Sequence, residues 1–216
     1  MILAFNGSPR LNGNTEAMLQ AALDGAASIG AETKLIQLYP LNFKGCMSCF
    51  SCKVKGGRHA HCAMKDDLSP ILEQMATADA LIFGAPIYYY NITPELLALL
   101  HRFMFSNMLY TKKDRWQYKR LVPSAFVYTY GLGPEAEENL LKPFEMVHTR
   151  MGDMLGIKPE ICCAANALQF KDYSLYEADA FDEVAKRRYR AEAFPQELAK
   201  ARDMGRRLAL KAQELK

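Results

Sequence analysis

The chain has 216 residues, 50% of them hydrophobic, and a formal net charge of only +3, because acidic and basic residues are mixed along its length. This composition supports a sizeable core in one large domain or two small ones, and the acids flanking the strongest basic cluster, residues 186–190, favour a solvated helix face or an interface over a nucleic-acid footprint. No apolar run approaches the ~18 residues that span a bilayer and no basic leader is visible, so we expect a cytoplasmic protein with no membrane segment or signal peptide.

Apolar runs alternate with helical periodicities along the chain. The first run, MILAFN, is apolar over its first five residues and ends at Gly7, as expected of a buried strand followed by a turn. The predicted strands are residues 1–6, 32–40, 79–86, 121–131 and 157–167. The predicted helices are residues 15–30, 67–78, 93–109, 134–156 and 195–216. We expect the third helix to have Thr93 as its N-cap and the fourth to be kinked or restarted at Pro143.

Five alternations of strand and helix are typical of a parallel sheet with helices on both faces. We therefore predict one α/β domain over residues 1–216, a doubly wound five-stranded parallel sheet in the flavodoxin-like order 2-1-3-4-5. Two segments are additional to a minimal unit of this kind. They are a cysteine-rich insertion at residues 44–66 and a C-terminal extension at residues 165–194.

The loop after the first strand reads NGSPRLNGNTEAM and leads into a helix. Two glycines allow a tight turn, short polar side chains supply donors, and the free N–H groups and dipole of the helix N-terminus favour an anion. The loop matches neither G-x-x-x-x-G-K-[ST] nor G-x-G-x-x-G, so a terminal phosphate monoester fits better than a nucleoside triphosphate or a dinucleotide. The candidate phosphate-binding residues are Ser8, Arg10, Asn14 and Thr15. The alternative is that Ser8-Pro9 forms only a turn and Thr15 only an N-cap.

The loop after the third strand reads GAPIYYYNITPE. Its three tyrosines and Ile87 predict a flat aromatic surface suited to a planar heteroaromatic ring, although some of the tyrosines could equally be packing residues. In the predicted strand order, the end of the fourth strand reaches the same pocket from the far side. The candidate residues there are Thr129, Tyr130 and Gly131.

Three motifs together resemble the flavodoxin-like NADPH-dependent FMN reductases, and more narrowly the iron–sulfur flavoproteins and their relatives. They are GSPRLNGNT after the first strand, GAPIYYYNIT after the third, and a cysteine cluster ahead of KDDL. The resemblance covers nearly all of residues 1–163. Residues 166–195 also resemble the C-terminal extension of some flavodoxin-family oxidoreductases.

The resemblance implies a noncovalently bound FMN. Its phosphate would be bound by the four residues of the first loop, and its ring and ribityl chain would be lined by Pro86, Ile87, Tyr88, Tyr89 and Asn91. Hydride would come from NAD(P)H, and no side chain would need to act as nucleophile or base, since the chemistry belongs to the flavin. The resemblance also implies a homodimer or homotetramer, with residues 165–194 as a candidate oligomerisation arm.

Four of the six cysteines follow the spacing Cys-x2-Cys-x2-Cys-x9-Cys. They are Cys46, Cys49, Cys52 and Cys62. Four interpretations remain open: a [4Fe-4S] cluster, zinc with His59 or His61 as a further ligand, a redox-active thiol pair, and small buried residues in a loop. Cys162 and Cys163 are neighbours in the fifth strand, so they point to opposite faces and are predicted to be core residues.

These features predict an FMN-dependent oxidoreductase that accepts hydride from NAD(P)H and passes electrons to a small-molecule acceptor. One alternative is an iron–sulfur flavoprotein that carries single electrons between a ferredoxin-like donor and an acceptor. A second is a non-enzymatic module that binds a phosphorylated ligand. Neither nucleic acid nor a membrane is expected as a partner.

Overall fold

The computed structural model describes residues 1–216 and contains one five-stranded sheet. The strands are Ile2–Asn6 (β1), Thr33–Gln37 (β2), Ala80–Pro86 (β3), Ser124–Thr129 (β4) and Glu160–Ala164 (β5). All neighbouring strands are parallel, and their order is β2-β1-β3-β4-β5. The predicted sheet and its order are confirmed.

Seven α-helices surround the sheet. They are Asn14–Ala27 (α1), Ser69–Thr77 (α2), Pro94–Asn107 (α3), Glu137–Leu141 (α4), Glu145–Leu155 (α5), Glu183–Glu192 (α6) and Phe194–Glu214 (α7). The predicted interruption at Pro143 is confirmed, because a 3-10 turn at Lys142–Phe144 separates α4 from α5. No helix bounds are predicted for the residues of α6, which lies inside the C-terminal extension. None of the helices combines the length and the apolarity needed to cross a membrane.

One face of the sheet is built from large aromatic side chains. Phe5, Phe83 and Phe126 lie side by side on three adjacent strands, with ring centroids 5.4 and 5.1 Å apart. Helices α2, α3 and α5 cover this face with aliphatic and aromatic residues. Because successive strand residues alternate between faces, the intervening positions point to the opposite side.

The opposite face is lined mostly by small or aliphatic residues and is covered by α1 and α7. The two helices pack closely at two glycines. A Cβ atom on Gly205 would lie 1.8 Å from the Ala22 carbonyl oxygen, and one on Gly25 would lie 1.9 Å from the Arg202 carbonyl oxygen. The first helix of the chain is therefore fixed by direct backbone approach to the last one.

The two cysteines of β5 lie on opposite sides of that strand. Cys162 is buried in the core under α1 and α7, and burial raises the pKa of its thiol to about 11. Cys163 is partly buried against the aromatic face. The predicted core position is confirmed for Cys162, whereas Cys163 lies at the edge of the core.

We expect Gly205→Ala to lower the free energy of unfolding. Overpacking costs about 1–3 kcal/mol, which exceeds the gain of about 1 kcal/mol from replacing a helical glycine by alanine. Thermal melting followed by circular dichroism measures the effect, with Gly152→Ala in α5 as a control, because a Cβ atom there would lie 3.3 Å from its nearest neighbour. An equal melting temperature for the two variants would contradict the tight α1–α7 contact.

Candidate functional site

The first loop connects β1 to α1 at the carboxyl edge of the sheet. It turns tightly because Ser8 N donates to Asn6 Oδ1 at 3.0 Å and Arg10 N donates to Ser8 Oγ at 3.1 Å. Gly13 is the N-cap residue of α1. Because glycine has no side chain, the N-cap residue accepts no side-chain hydrogen bond from the N–H groups of the first turn. The helix therefore offers its N-terminal donors and dipole to an anion, as predicted for this loop. Thr15 lies inside the helix and is not its N-cap.

A cavity of about 660 Å³ opens above this loop, between the carboxyl ends of β1, β3 and β4. Ten of the twelve predicted cofactor residues meet in it. The predicted residues that line it are Ser8, Arg10, Asn14, Thr15, Pro86, Ile87, Tyr88, Thr129, Tyr130 and Gly131. The cavity thus brings the first loop together with the ends of two other strands.

Tyr89 and Asn91 lie outside the cavity because the chain forms a tight turn there. Tyr88 N donates to Asn91 O at 2.8 Å, and Asn91 N donates to Tyr88 O at 3.0 Å. Tyr89 and Tyr90 at the tip of the turn have φ values of 48° and 64°, a left-handed backbone conformation that residues other than glycine rarely adopt. Tyr89 is 98% exposed. Only Tyr88 contributes an aromatic ring from this loop to the cavity wall. A cofactor contact for Tyr89 or Asn91 stays a prediction.

The far wall of the cavity comes from the end of β4. Thr129 and Thr15 are both buried, and their hydroxyl oxygens lie 2.8 Å apart, which ties β4 to the start of α1. The Tyr130 hydroxyl donates to Glu137 Oε2 at 2.8 Å. Burial and this hydrogen bond raise the pKa of Tyr130, so its hydroxyl stays protonated and paired with Glu137.

Residues 166–171, here called the cover segment, lie over the first loop. Asn14 Nδ2 donates to Leu168 O at 3.1 Å, and the Arg10 guanidinium donates to Gln169 O. The Gln169 side chain lies against Gly131, where a Cβ atom would be 1.9 Å from Gln169 Nε2. The cover segment therefore closes the cavity from the C-terminal side of the chain.

Lys186 in α6 fastens the cover segment to the end of β4. The residue is 2% exposed, and its Nζ donates to Gly131 O at 2.6 Å and to Asn166 Oδ1 at 3.1 Å. Burial lowers the pKa of Lys186. The predicted solvated face is thus wrong for Lys186, although Arg187 and Arg188 beside it are exposed. A basic side chain with three backbone or amide acceptors nearby can be buried without a carboxylate.

The charges around the cavity all have the same sign. Four cationic side chains line it and no carboxylate does. The cations are Arg10, Lys171, Arg187 and Arg190. Three of them come from the C-terminal extension, which is predicted to be an oligomerisation arm. The missed signal was the basic and aromatic composition of this extension, which fits a cavity wall as well as an interface.

The four clustered cysteines occupy the insertion between β2 and α2. Cys52 is buried, Cys49 is exposed, and Cys46 and Cys62 are half-buried; all four are free thiols. Hydrogen bonds from Ser51 lower the pKa of Cys49. No three His, Cys, Asp or Glu side chains come close enough together to hold a metal ion. As arranged here, the thiols do not form the ligand set of a [4Fe-4S] cluster or a zinc site.

Arg102 of α3 is a buried cation beneath this insertion. Its Nη1 donates to Asp66 Oδ2 at 2.6 Å and to Lys44 O at 3.2 Å, so it joins the two ends of the segment. Burial acts to lower the pKa of Arg102, but the combined effect of Asp66 and the neighbouring Cys62 outweighs it. The pKa of Arg102 is therefore raised above its ordinary value, and the side chain stays charged. Its Nε and Nη2 have no hydrogen-bond partner.

The family model described as NADPH-dependent FMN reductase matches residues 1–156. The chain belongs to the NADPH-dependent FMN reductase family. The family match ends at Gly156, directly after α5, so the cover segment and α6 lie beyond the matched residues.

Two curated relatives and one solved structure are similar to this chain. An iron-sulfur flavoprotein of Methanocaldococcus jannaschii is 35% identical over 101 residues, which are 47% of this chain and 50% of the relative. An iron-sulfur flavoprotein of Methanosarcina thermophila is 34% identical over 101 residues, 47% of this chain and 51% of the relative. The chain thus matches about half the length of these curated relatives. The NAD(P)H:quinone oxidoreductase from Methanothermobacter marburgensis superposes with a TM-score of 0.69 at 18% identity, covering 96% of this chain and 98% of that one, and supports the fold.

We expect Asp66→Asn to destabilise the protein at neutral pH by about 3 kcal/mol, because it leaves the buried Arg102 without its carboxylate partner. Partial burial acts to raise the pKa of Asp66, but Arg102 lowers it below its ordinary value. The carboxylate therefore stabilises the fold above the ordinary aspartate pKa and loses this effect as the pH falls through its lowered pKa. Urea unfolding of both proteins at neutral and at acid pH should show a difference that shrinks on acidification. A difference independent of pH would contradict the ion-pair explanation.

Proposed function

We propose that this protein is an FMN-dependent oxidoreductase that accepts hydride from NAD(P)H and passes electrons to a small-molecule acceptor. The observation that carries the proposal is a cavity at the carboxyl edge of β1, β3 and β4 whose charged lining is entirely cationic. In a doubly wound sheet this edge is where ligands bind. A phosphorylated ligand with a planar ring matches both ends of the cavity.

The chain's own residues fit FMN at the phosphate end. There is no room for a side chain at position 7, since a Cβ atom on Gly7 would lie 2.8 Å from Thr93 Oγ1. Glycine at this position therefore lets the first loop pack directly against the start of α3. Ser8 and the uncapped N-terminus of α1 supply donors, and Arg10 supplies a positive charge. Together they would bind and orient a phosphate monoester.

The opposite end of the cavity suits a ring. Pro86, Ile87 and Tyr88 form its wall after β3, and Thr129 and Tyr130 form the wall after β4. When bound, FMN supplies the hydride and electron chemistry, so the side chains only need to hold the ring and keep water from one of its faces. No carboxylate lines the cavity that could act there as a base.

An iron–sulfur flavoprotein function is the second candidate. It is supported by the names of the curated relatives and by the four clustered cysteines. It would require the insertion to rearrange, because the thiols are not gathered as the chain is folded here. Electrons would then pass singly between a ferredoxin-like donor and an acceptor.

A homodimer or homotetramer is part of the proposal. The exposed tips of Tyr89 and Tyr90 beside the cavity support it, because large aromatic side chains on a surface favour contact with another chain. A cytoplasmic location is proposed as well, since all six cysteines are unpaired and thiols stay reduced in that compartment.

The proposed cofactor predicts a clear preference among flavins. We expect the protein to bind one FMN per chain and to bind riboflavin at least about tenfold more weakly, because riboflavin lacks the phosphate and its charge-assisted hydrogen bonds. Quenching of flavin fluorescence on titration into cofactor-free protein measures both dissociation constants. Protein that binds neither flavin would contradict the proposal and would favour a non-enzymatic module.

Iron and acid-labile sulfide separate the two candidate functions. For the flavin reductase we expect protein purified without oxygen to show a flavin spectrum, no stoichiometric iron or sulfide, and oxidation of NADPH or NADH with a quinone as acceptor. About four irons and four sulfides per chain would instead support the electron-carrying flavoprotein. Replacement of Cys49 and Cys52 by serine should leave FMN binding unchanged in either case, because neither lines the cavity.

A further inference from the structure

The three arginines of α6 differ in how their charges are compensated. Arg187 is paired with Glu183 at 2.6 Å, and Arg188 is paired with Glu192 at 3.0 Å, each four residues apart along the helix. Arg190 has Lys186 and Phe194 at the corresponding positions and makes no ion pair. It therefore keeps its full charge at the cavity wall.

The Arg190 guanidinium is held in a fixed position. Its Nη1 donates to Asn14 Oδ1 at 2.7 Å, and its Cζ lies 3.9 Å from the centroid of the Phe194 ring. Phe194 is buried and begins α7, so the surface that supports the guanidinium is rigid. A side chain that is already ordered loses little conformational entropy when it binds a ligand.

Asn14 connects Arg190 to the first loop. Both polar atoms of its side chain are engaged, Nδ2 with Leu168 O and Oδ1 with Arg190. Asn14 is one of the residues predicted to bind the phosphate directly. Through these contacts, Asn14 instead holds α6 and the cover segment beside the N-terminus of α1, where the anion would bind.

We propose that Arg190 is a phosphate-binding residue of this site, acting together with Arg10, so that the site is assembled from both ends of the chain. The inference rests on the proposed function, since the anion is the phosphate monoester of FMN. The planar guanidinium can donate two parallel hydrogen bonds to such a group. Arg190 would thereby increase the preference of the site for FMN over riboflavin.

The test compares Arg190→Gln with Arg188→Gln in cofactor-free protein. Both variants remove one arginine from the same helix, but Arg188 does not line the cavity. We expect Arg190→Gln to raise the dissociation constant of FMN about 10- to 100-fold, the loss typical of a hydrogen bond to a charged group, and to leave that of riboflavin unchanged. Arg188→Gln should change neither constant.

The outcomes separate this inference from the proposed function. If the wild-type protein binds FMN and Arg190→Gln binds it as tightly as Arg188→Gln, Arg190 is not a phosphate-binding residue and the proposed function stands. If Arg190→Gln weakens FMN and riboflavin equally, the residue acts only through the fold, which also overturns the assignment. If the wild-type protein binds neither flavin, both proposals fail. Should Arg190→Gln fold poorly in thermal melts, Arg190→Met keeps the stem against Phe194 and takes its place with the same expectations.

Discussion

The close approach of three backbone segments at Gly7 sets the geometry of the cavity. Gly7 N donates to Gly84 O at 2.8 Å, and Gly7 O accepts from Thr93 Oγ1 at 2.6 Å. The first contact fixes the loop after β1 to β3, and the second fixes it to the start of α3. Because there is no space for a Cβ atom, these contacts exist only with glycine at this position. The cavity walls after β3 and β1 therefore keep one relative position.

The sheet and most of the cavity could be predicted from the sequence because they depend on local patterns. Three patterns can each be recognised within about ten residues: the apolar run of β1, the proline after Thr93 and the loop NGSPRLNGNT. Parallel topology then brings the carboxyl ends of the strands together. The turn at Tyr88–Asn91 shows the limit of this reasoning. Composition indicated an aromatic surface, but the backbone conformation of Tyr89 directs it away from the cavity.

The role of the C-terminal extension could not be predicted from local pattern. Asn14 meets Leu168 and Arg190 across more than 150 residues of sequence, and no periodicity encodes such a contact. Lys186 is a second example, since a lysine in a basic run is normally exposed and only the three acceptors gathered around it explain its burial. One sequence feature does distinguish Arg190 from its neighbours, namely the absence of a glutamate four residues before or after it.

The packing of α1 against α7 affects the chain while it is being synthesised. The helix that follows the first loop, α1, leaves the ribosome long before α7, the helix that covers its apolar side. Until then, buried residues of α1 such as Met18 and Leu19 have only the sheet to pack against. The nascent chain must therefore keep an apolar surface exposed until α7 has been synthesised, which makes it a candidate for chaperone binding.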